Sequence, residues 1–236
     1  MRIITWNCKM KFRRDCERLF SLKPDILIIP ECEDVTKYSI FNGEYSDAYW
    51  IGENTNKGLA VFTKNNFKIK IYENYSDKFK YILPLVITRQ NELYNLLAIW
   101  TKKVEGKRKG HSNYIRQINL SMDAYGSFLN DYNSIICGDF NSNLIWERTG
   151  VDKDHQWLID YLAKKDIYSA YHHYFSEDQG KESTPTYYHY HREDRPFHID
   201  FCFLSKKLLN QISSISIGKY KEWIDLSDHV PMQVEF

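Results

Sequence analysis

The segments Ile26-Leu27-Ile28-Ile29 and Ile135-Ile136-Cys137 are apolar at every position, and each meets a carboxylate two residues on, Glu31 or Asp139. A strand with one face in water alternates apolar and polar residues, whereas a strand covered on both faces reads as a continuous apolar run. A chain with several such runs must place its sheets between other layers. The polar residues that close the runs then gather at the rim of the packed strands.

The rest of the sequence fits that frame. Residues 2–7, 58–62, 67–72, 81–88, 92–100, 134–138, 198–204 and 230–236 read as strands, rich in β-branched and aromatic side chains. Segments 13–22, 112–130 and 154–165 read as helices, the first closed by Lys23-Pro24. Segment 102–112 reads as a basic loop, and the His- and Tyr-rich stretch around 170–198 as a loop or edge hairpin. Strands outnumber helices, which predicts two sheets face to face with helices outside, an α+β or α/β arrangement. No internal repeat, low-complexity tract or linker divides the chain, so 1–236 is expected to be a single domain.

The formal net charge is +1, from 32 basic and 31 acidic residues. A protein that holds nucleic acid by bulk attraction carries a basic excess, so any polyanion here must be gripped by a local patch. The five cysteines form no Cys-x-x-Cys pair, and their odd number fits reduced thiols better than a disulfide framework. No apolar run approaches the ~18 residues that span a bilayer. Met1-Arg2 leads straight into the first strand, so no membrane is expected and the cytoplasm is the expected compartment.

The chemistry lies at the strand ends. Asn7 closes the first strand, Glu31 the second, and Asp139 and Asn141 the central one. Asp200 interrupts the apolar run 198–203, and Asp228-His229 precede the last strand. A single strand-end Asp or Asn is usually a turn residue. Several together, one of them inside a buried strand where a lone charge is costly, point to a catalytic cluster. Carboxylates, carboxamides and one imidazole fit phosphoester hydrolysis. A hard divalent cation neutralises the anionic ester, a carboxylate orients water, and an imidazolium kept charged by a buried Asp stabilises charge on phosphorus. No Cys/His ligand set points to zinc. The trio His189, His191 and His198 lacks a Cys or a fourth ligand.

In order, Thr5-Trp6-Asn7, Ile29-Pro30-Glu31, Gly138-Asp139-Phe140-Asn141, His198-Ile199-Asp200-Phe201 and Ser227-Asp228-His229 resemble the endonuclease/exonuclease/phosphatase superfamily of exonuclease III and deoxyribonuclease I. The resemblance spans nearly the whole chain. It implies a four-layer αββα sandwich of α+β class, two packed mixed sheets flanked by helices. It implies Glu31 as the principal Mg²⁺ ligand assisted by Asp228, with Mn²⁺ able to substitute. It further implies that Asp139 activates water, that Asn141 and Asn7 hold the phosphate and water, and that Asp200 pairs with His229. His229 would contact the scissile phosphate during in-line attack without a covalent intermediate. The chain departs from relatives at Lys9, where a second Asp or Asn is usual, at Pro30 in place of Gln, and at Trp100, where many place His or Tyr. Tyr114, Arg116 and His111 are the candidates for the contact Trp100 does not supply.

Family membership does not name the substrate. Lys102, Lys103, Lys107, Arg108 and Lys109 could follow a nucleic-acid backbone or form a solvated loop. Trp146 could stand beside a base or cap the core. The expected activity is a DNA endo- or exonuclease, with nucleic acid as the partner and no feature specifying a protein partner. The alternatives are a phosphomonoesterase or small-nucleotide phosphodiesterase, and a non-catalytic nucleic-acid-binding protein.

Overall fold

In the computed structural model, residues 1–37, 45–64, 66–102, 112–130, 133–147 and 154–236 are described. Lys103, Lys107, Arg108, Lys109 and His111 lie outside them. The first half of the chain holds β1 (Arg2–Thr5), α1 (Phe12–Ser21), β2 (Ile26–Cys32), β3 (Tyr45–Asn54), β4 (Lys57–Lys64), β5 (Lys68–Ile71), β6 (Ile82–Arg89) and β7 (Glu92–Trp100). Next come α2 (Ser112–Tyr125), β8 (Ser134–Asp139), α3 (His155–Ala163), β9 (Ile167–Ser169), α4 (Ala170–Phe175), β10 (Tyr187–Tyr188) and β11 (Pro196–Phe197). The chain closes with β12 (Asp200–Ser205), α5 (Lys206–Leu209), β13 (Ser214–Ile217), α6 (Tyr220–Trp223) and β14 (Met232–Glu235).

Two six-stranded sheets form, in the orders β13-β14-β1-β2-β4-β3 and β5-β6-β7-β8-β12-β9. Each contains one parallel pair, β1 with β2 and β7 with β8. A parallel pair needs a crossover connection, and α1 and α2 provide them. The apolar runs now have their explanation. Alternate residues of β1 and β2 (Ile3, Ile26, Ile28) meet Leu96, Ala98, Ile135 and Cys137 between the sheets. The intervening residues (Ile4, Leu27, Ile29) pack outward on Phe12, Cys16 and Leu19 of α1. On the far side, Leu97, Ile99, Ile136 and Phe203 pack on Ile118 and Met122 of α2 and Leu158 and Leu162 of α3. The result is the helix–sheet–sheet–helix layering of an α+β sandwich. All five cysteines are buried thiols, and among the described residues no helix is long and apolar enough to cross a membrane.

The strands that sequence patterning misses, β3, β9 and β13, are sheet edges. An edge strand pairs on one side only and tolerates polar residues, as the segment 45–54 shows with its Ser, Asp, Gly, Glu and Asn. The stretch read as helix over 112–130 ends at Tyr125 and resumes as a short 3-10 turn at Phe128–Asn130. Part of the His/Tyr-rich segment is helical, as α4.

Gly138 is the one residue in β8 that only glycine can supply. Its φ is +145°, and an added Cβ would stand 1.9 Å from the carbonyl oxygen of Ile99, its partner on β7. Gly138→Ala should therefore cost on the order of 3 kcal/mol of folding stability. Chemical denaturation checks this, and an unchanged midpoint would refute the close-approach account.

Candidate active site

The polar residues of the sequence motifs gather where the two parallel pairs end. Asn7 follows β1, Glu31 lies near the end of β2, and Asp139 ends β8. Asp200 starts the antiparallel β12 directly opposite Asp139, and His229 precedes β14. The site thus straddles both sheets.

Asp139 is fully buried and is met from three directions. Asn7 Nδ2 donates to its Oδ2 at 2.9 Å. The Asn141 backbone N–H donates to Oδ1 at 2.9 Å, and Asn141 Nδ2 to Oδ2 at 2.9 Å. The second of these contacts closes a tight Asx-type turn, with Asn141 at φ +46°. The other amide end of Asn7 is also used, since its Oδ1 accepts from the Lys9 backbone N–H at 3.1 Å. His229 donates from Nδ1 to Asp200 Oδ2 at 2.8 Å, which turns its Nε2 toward Asp139 Oδ2 at 3.9 Å. Asp200 is fixed in turn by Thr186 Oγ1, which accepts from the backbone N–H groups of Ile199 and Asp200. Ser227 positions the His229 loop, donating to the Asn7 carbonyl at 2.7 Å and accepting from the His229 backbone N–H.

Burial and charge act on these groups in opposite senses. Burial pulls the His229 pKa down, but Asp200 and Asp139 outweigh it and raise it to about 9, so the ring is an imidazolium at neutral pH. For Asp139 burial prevails over the His229 charge and raises the pKa to about 7. A carboxylate titrating near neutrality is suited to take a proton from water. The atoms of Asp139, Asp200 and His229 lie within 4.8 Å of one another, close enough to share an ion. A protonated imidazole donates rather than ligates, so this trio is better used as a proton-holding unit.

Glu31 offers a carboxylate of another kind. It sits at a β-bulge of β2 with φ +58°, a device that re-aims a side chain. Its Oε2 pairs with Lys57 Nζ at 3.1 Å. Asp228, the other expected metal ligand, pairs through Oδ2 with Lys9 Nζ at 3.0 Å. Burial raises the Asp228 pKa, but His229 and Lys9 outweigh it and the net shift is downward. The donors that Glu31 and Asp228 offer are carboxylate oxygens, which suit a hard ion such as Mg²⁺ or Mn²⁺.

Of the expected substrate contacts, Tyr114 at the start of α2 feels the Asp139 charge, which adds to burial in raising its pKa. Arg116 is exposed on the same helix. Trp146 lies in a 3-10 turn with its ring 5.0 Å from Phe197. Trp100 is buried, edge-on to Tyr81 at 4.7 Å, with the Lys57 and Lys102 ammonium groups over its ring. Sequence reasoning missed Lys57 and Thr186, the packing of the Tyr187 ring 4.7 Å from His229, and the contact made by Lys9. His189 and His191 stand in the β10–β11 hairpin, and His198 Nδ1 donates to the Thr184 carbonyl.

A family model described as Endonuclease/Exonuclease/phosphatase family matches residues 4–229. No curated protein sequence matches the chain significantly. Among solved structures, the chain is similar to a 3′ phosphatase, NExo, from Neisseria bound to product DNA hairpin, with TM-score 0.68, 16% identity and coverage of 100% of this chain and 99% of that one. It is similar to an AP endonuclease from Archaeoglobus fulgidus, with TM-score 0.72, 16% identity and coverage of 100% and 99%. It is also similar to the AP endonuclease LMAP from Leishmania major, with TM-score 0.71, 12% identity and coverage of 99% and 86%. At these identities the likeness shows the fold.

The electrostatics make a checkable statement about pH. His229 holds its proton more tightly folded than unfolded, so its contribution to stability is complete below the ordinary 6.5 and is lost as pH rises through about 9. In Asp200→Asn the largest raising charge is gone while burial remains, and the His229 pKa should fall by at least ~2 units. Nitrogen-15 NMR titration of the ring reads both values. A ring that stays protonated to the same pH in the variant would rule out the pairing.

Proposed function

This chain belongs to the Endonuclease/Exonuclease/phosphatase family, whose members hydrolyse phosphoester bonds, and we propose that it is a Mg²⁺-dependent phosphodiesterase acting on DNA. One observation carries the reading. A buried carboxylate with a pKa near neutrality, Asp139, faces an imidazolium, His229, whose charge is held by Asp200.

The residues divide the work as follows. Asp139 takes a proton from the attacking water, held in orientation by Asn7 and Asn141. Oxygen of that water forms the new bond to phosphorus in line with the P–O bond that breaks, and the leaving oxygen takes up a proton from solvent and departs as an alcohol. His229 Nε2–H donates to a phosphate oxygen and stabilises the charge that builds there. Glu31 would hold a divalent cation, which when bound would supply further neutralisation of the phosphate charge. The Tyr187 pKa is raised to about 12, mainly by burial and then by Asp228 and Asp139. It stays a neutral phenol and adds no negative charge.

Support for DNA comes from the neighbours, one bound to a DNA hairpin and two described as AP endonucleases. The exposed ring of Tyr190 and the half-buried Trp146 offer faces on which bases stack. Tyr114 and Arg116 would reach the phosphate chain, and Lys107, Arg108 and Lys109 would follow it by charge. The net charge of +1 favours a second reading, a phosphomonoesterase or small-nucleotide phosphodiesterase.

Mg²⁺-dependent cleavage of end-labelled single- and double-stranded DNA, abasic duplex and RNA separates them. DNA should be cut, and Asp139→Asn and His229→Ala should each lower kcat/KM by on the order of 10²–10³ with unchanged circular dichroism. Turnover of a small phosphate ester without cleavage of any polymer would select the second reading.

A further inference from the structure

Lys9 stands two residues after Asn7, and its side chain is not a loose surface lysine. Its backbone takes φ +49° and its N–H is committed to Asn7 Oδ1. The ammonium lies between two acceptors, Asp228 Oδ2 at 3.0 Å and His191 Nε2 at 2.8 Å. His191 Nδ1 faces the Ile224 carbonyl at 3.0 Å, which places the ring hydrogen on Nδ1 and leaves the Nε2 lone pair for Lys9. The Tyr220 hydroxyl donates to the His191 carbonyl at 2.7 Å, and His191 itself takes φ +57°. The β10–β11 hairpin thus holds an acceptor against the lysine. The Asp228 side chain is 18% exposed and the Lys9 side chain 36%, so the pair is shielded in part, chiefly on its carboxylate side.

We propose that Lys9 is a built-in cation of this site: its ammonium occupies Asp228, so that a divalent ion is held through Glu31 without Asp228 as a ligand. The role rests on the metal-dependent reading given above and makes it more specific. A divalent ion drawn to Asp228 would have to displace an ammonium anchored from two sides, or bind beside it against like-charge repulsion. The positive charge that a second ion would bring is already present, as a side chain. Lys57 on Glu31 differs in that, among the described residues, no second acceptor anchors it: its other contact is the Trp100 ring at 5.4 Å. An arriving ion can displace Lys57 while its ammonium remains over the ring.

The test is Mn²⁺ binding to the whole chain, read by the electron paramagnetic resonance of the free ion. The samples are wild type, Lys9→Met, Lys9→Arg, Lys9→Met with Asp228→Asn, and Glu31→Gln. Releasing Asp228 in Lys9→Met should tighten Mn²⁺ binding about tenfold, equivalent to about 1.4 kcal/mol. Lys9→Arg, which keeps the charge, should match wild type, and the double variant should return to wild-type affinity. Lys9→Met with unaltered affinity, or a gain that survives in the double variant, overturns the role of Lys9 alone. Wild-type binding that persists undiminished in Glu31→Gln overturns the Glu31 assignment instead. A wild-type chain that binds no Mn²⁺ overturns both.

Discussion

The structure depends on a hydrogen bond that crosses from one sheet to the other. Asn7 follows β1 of the first sheet, and its carboxamide donates to Asp139, which ends β8 of the second. A fully buried carboxylate is tolerable only when paired and hydrogen-bonded, and removing one partner of such a group commonly costs about 3–5 kcal/mol. Half of the shell that makes Asp139 acceptable therefore comes from a sheet to which it does not belong. Ser227 strengthens the link, tying the loop before β14 to the Asn7 carbonyl. Correct packing of the two sheets and assembly of the site are the same event.

That coupling accounts for part of the backbone strain, since Lys23, Gln90, Asp166 and Ser176 adopt positive φ at turns away from the site. Lys9, Met10, Glu31, Asn141, Tyr190 and His191 all adopt positive φ, a region that costs non-glycine residues of order 1–3 kcal/mol, with Asn among the more tolerant. These positions lie in the loops that carry the motif side chains or in the hairpin beside them. Each turn redirects a side chain that the regular geometry of its strand would aim elsewhere. Glu31 is the clearest case, because the bulge in β2 breaks the pairing register with β4 at the position that must present a carboxylate. Packing of the apolar strands behind the site supplies the stability that these turns consume.

The same physics decides what could be read in advance. Both-face-buried strands announce themselves as unbroken apolar runs, and β1, β2, β7, β8 and β12 were legible for that reason. Asp139, Asp200 and His229 were legible because polar residues inside or closing such runs need a purpose, and the structure brings those three together. Three edge strands, β3, β9 and β13, were hidden, since one open side permits polar residues, whereas the edge strand β5 was legible from its alternation. Lys57 was hidden because a lysine opening a strand looks like any solvated charge. Its partner Glu31 is 26 residues away in sequence and is met only through the antiparallel pairing of β2 with β4. Thr186 carried no signal at all: a threonine in a Thr-Pro-Thr turn is unremarkable until its hydroxyl is seen capping two backbone N–H groups at the start of β12.

Trp100 shows how a departure from relatives can be absorbed. It pairs in register with Asp139 across β7 and β8, so a polar side chain there would stand beside the carboxylate. The indole cannot take that part, being buried against Tyr81. Instead its face lies beneath two ammonium groups, Lys57 at 5.4 Å and Lys102 at 4.8 Å, an arrangement worth ~0.5–2 kcal/mol per contact depending on solvent exposure. One of those lysines meets Glu31. The positive charge at this edge is therefore organised by an aromatic surface rather than by a titratable ring on β7. Near-zero net charge and a strongly polarised rim are then compatible, because the cations are placed one by one on named partners rather than spread over the surface.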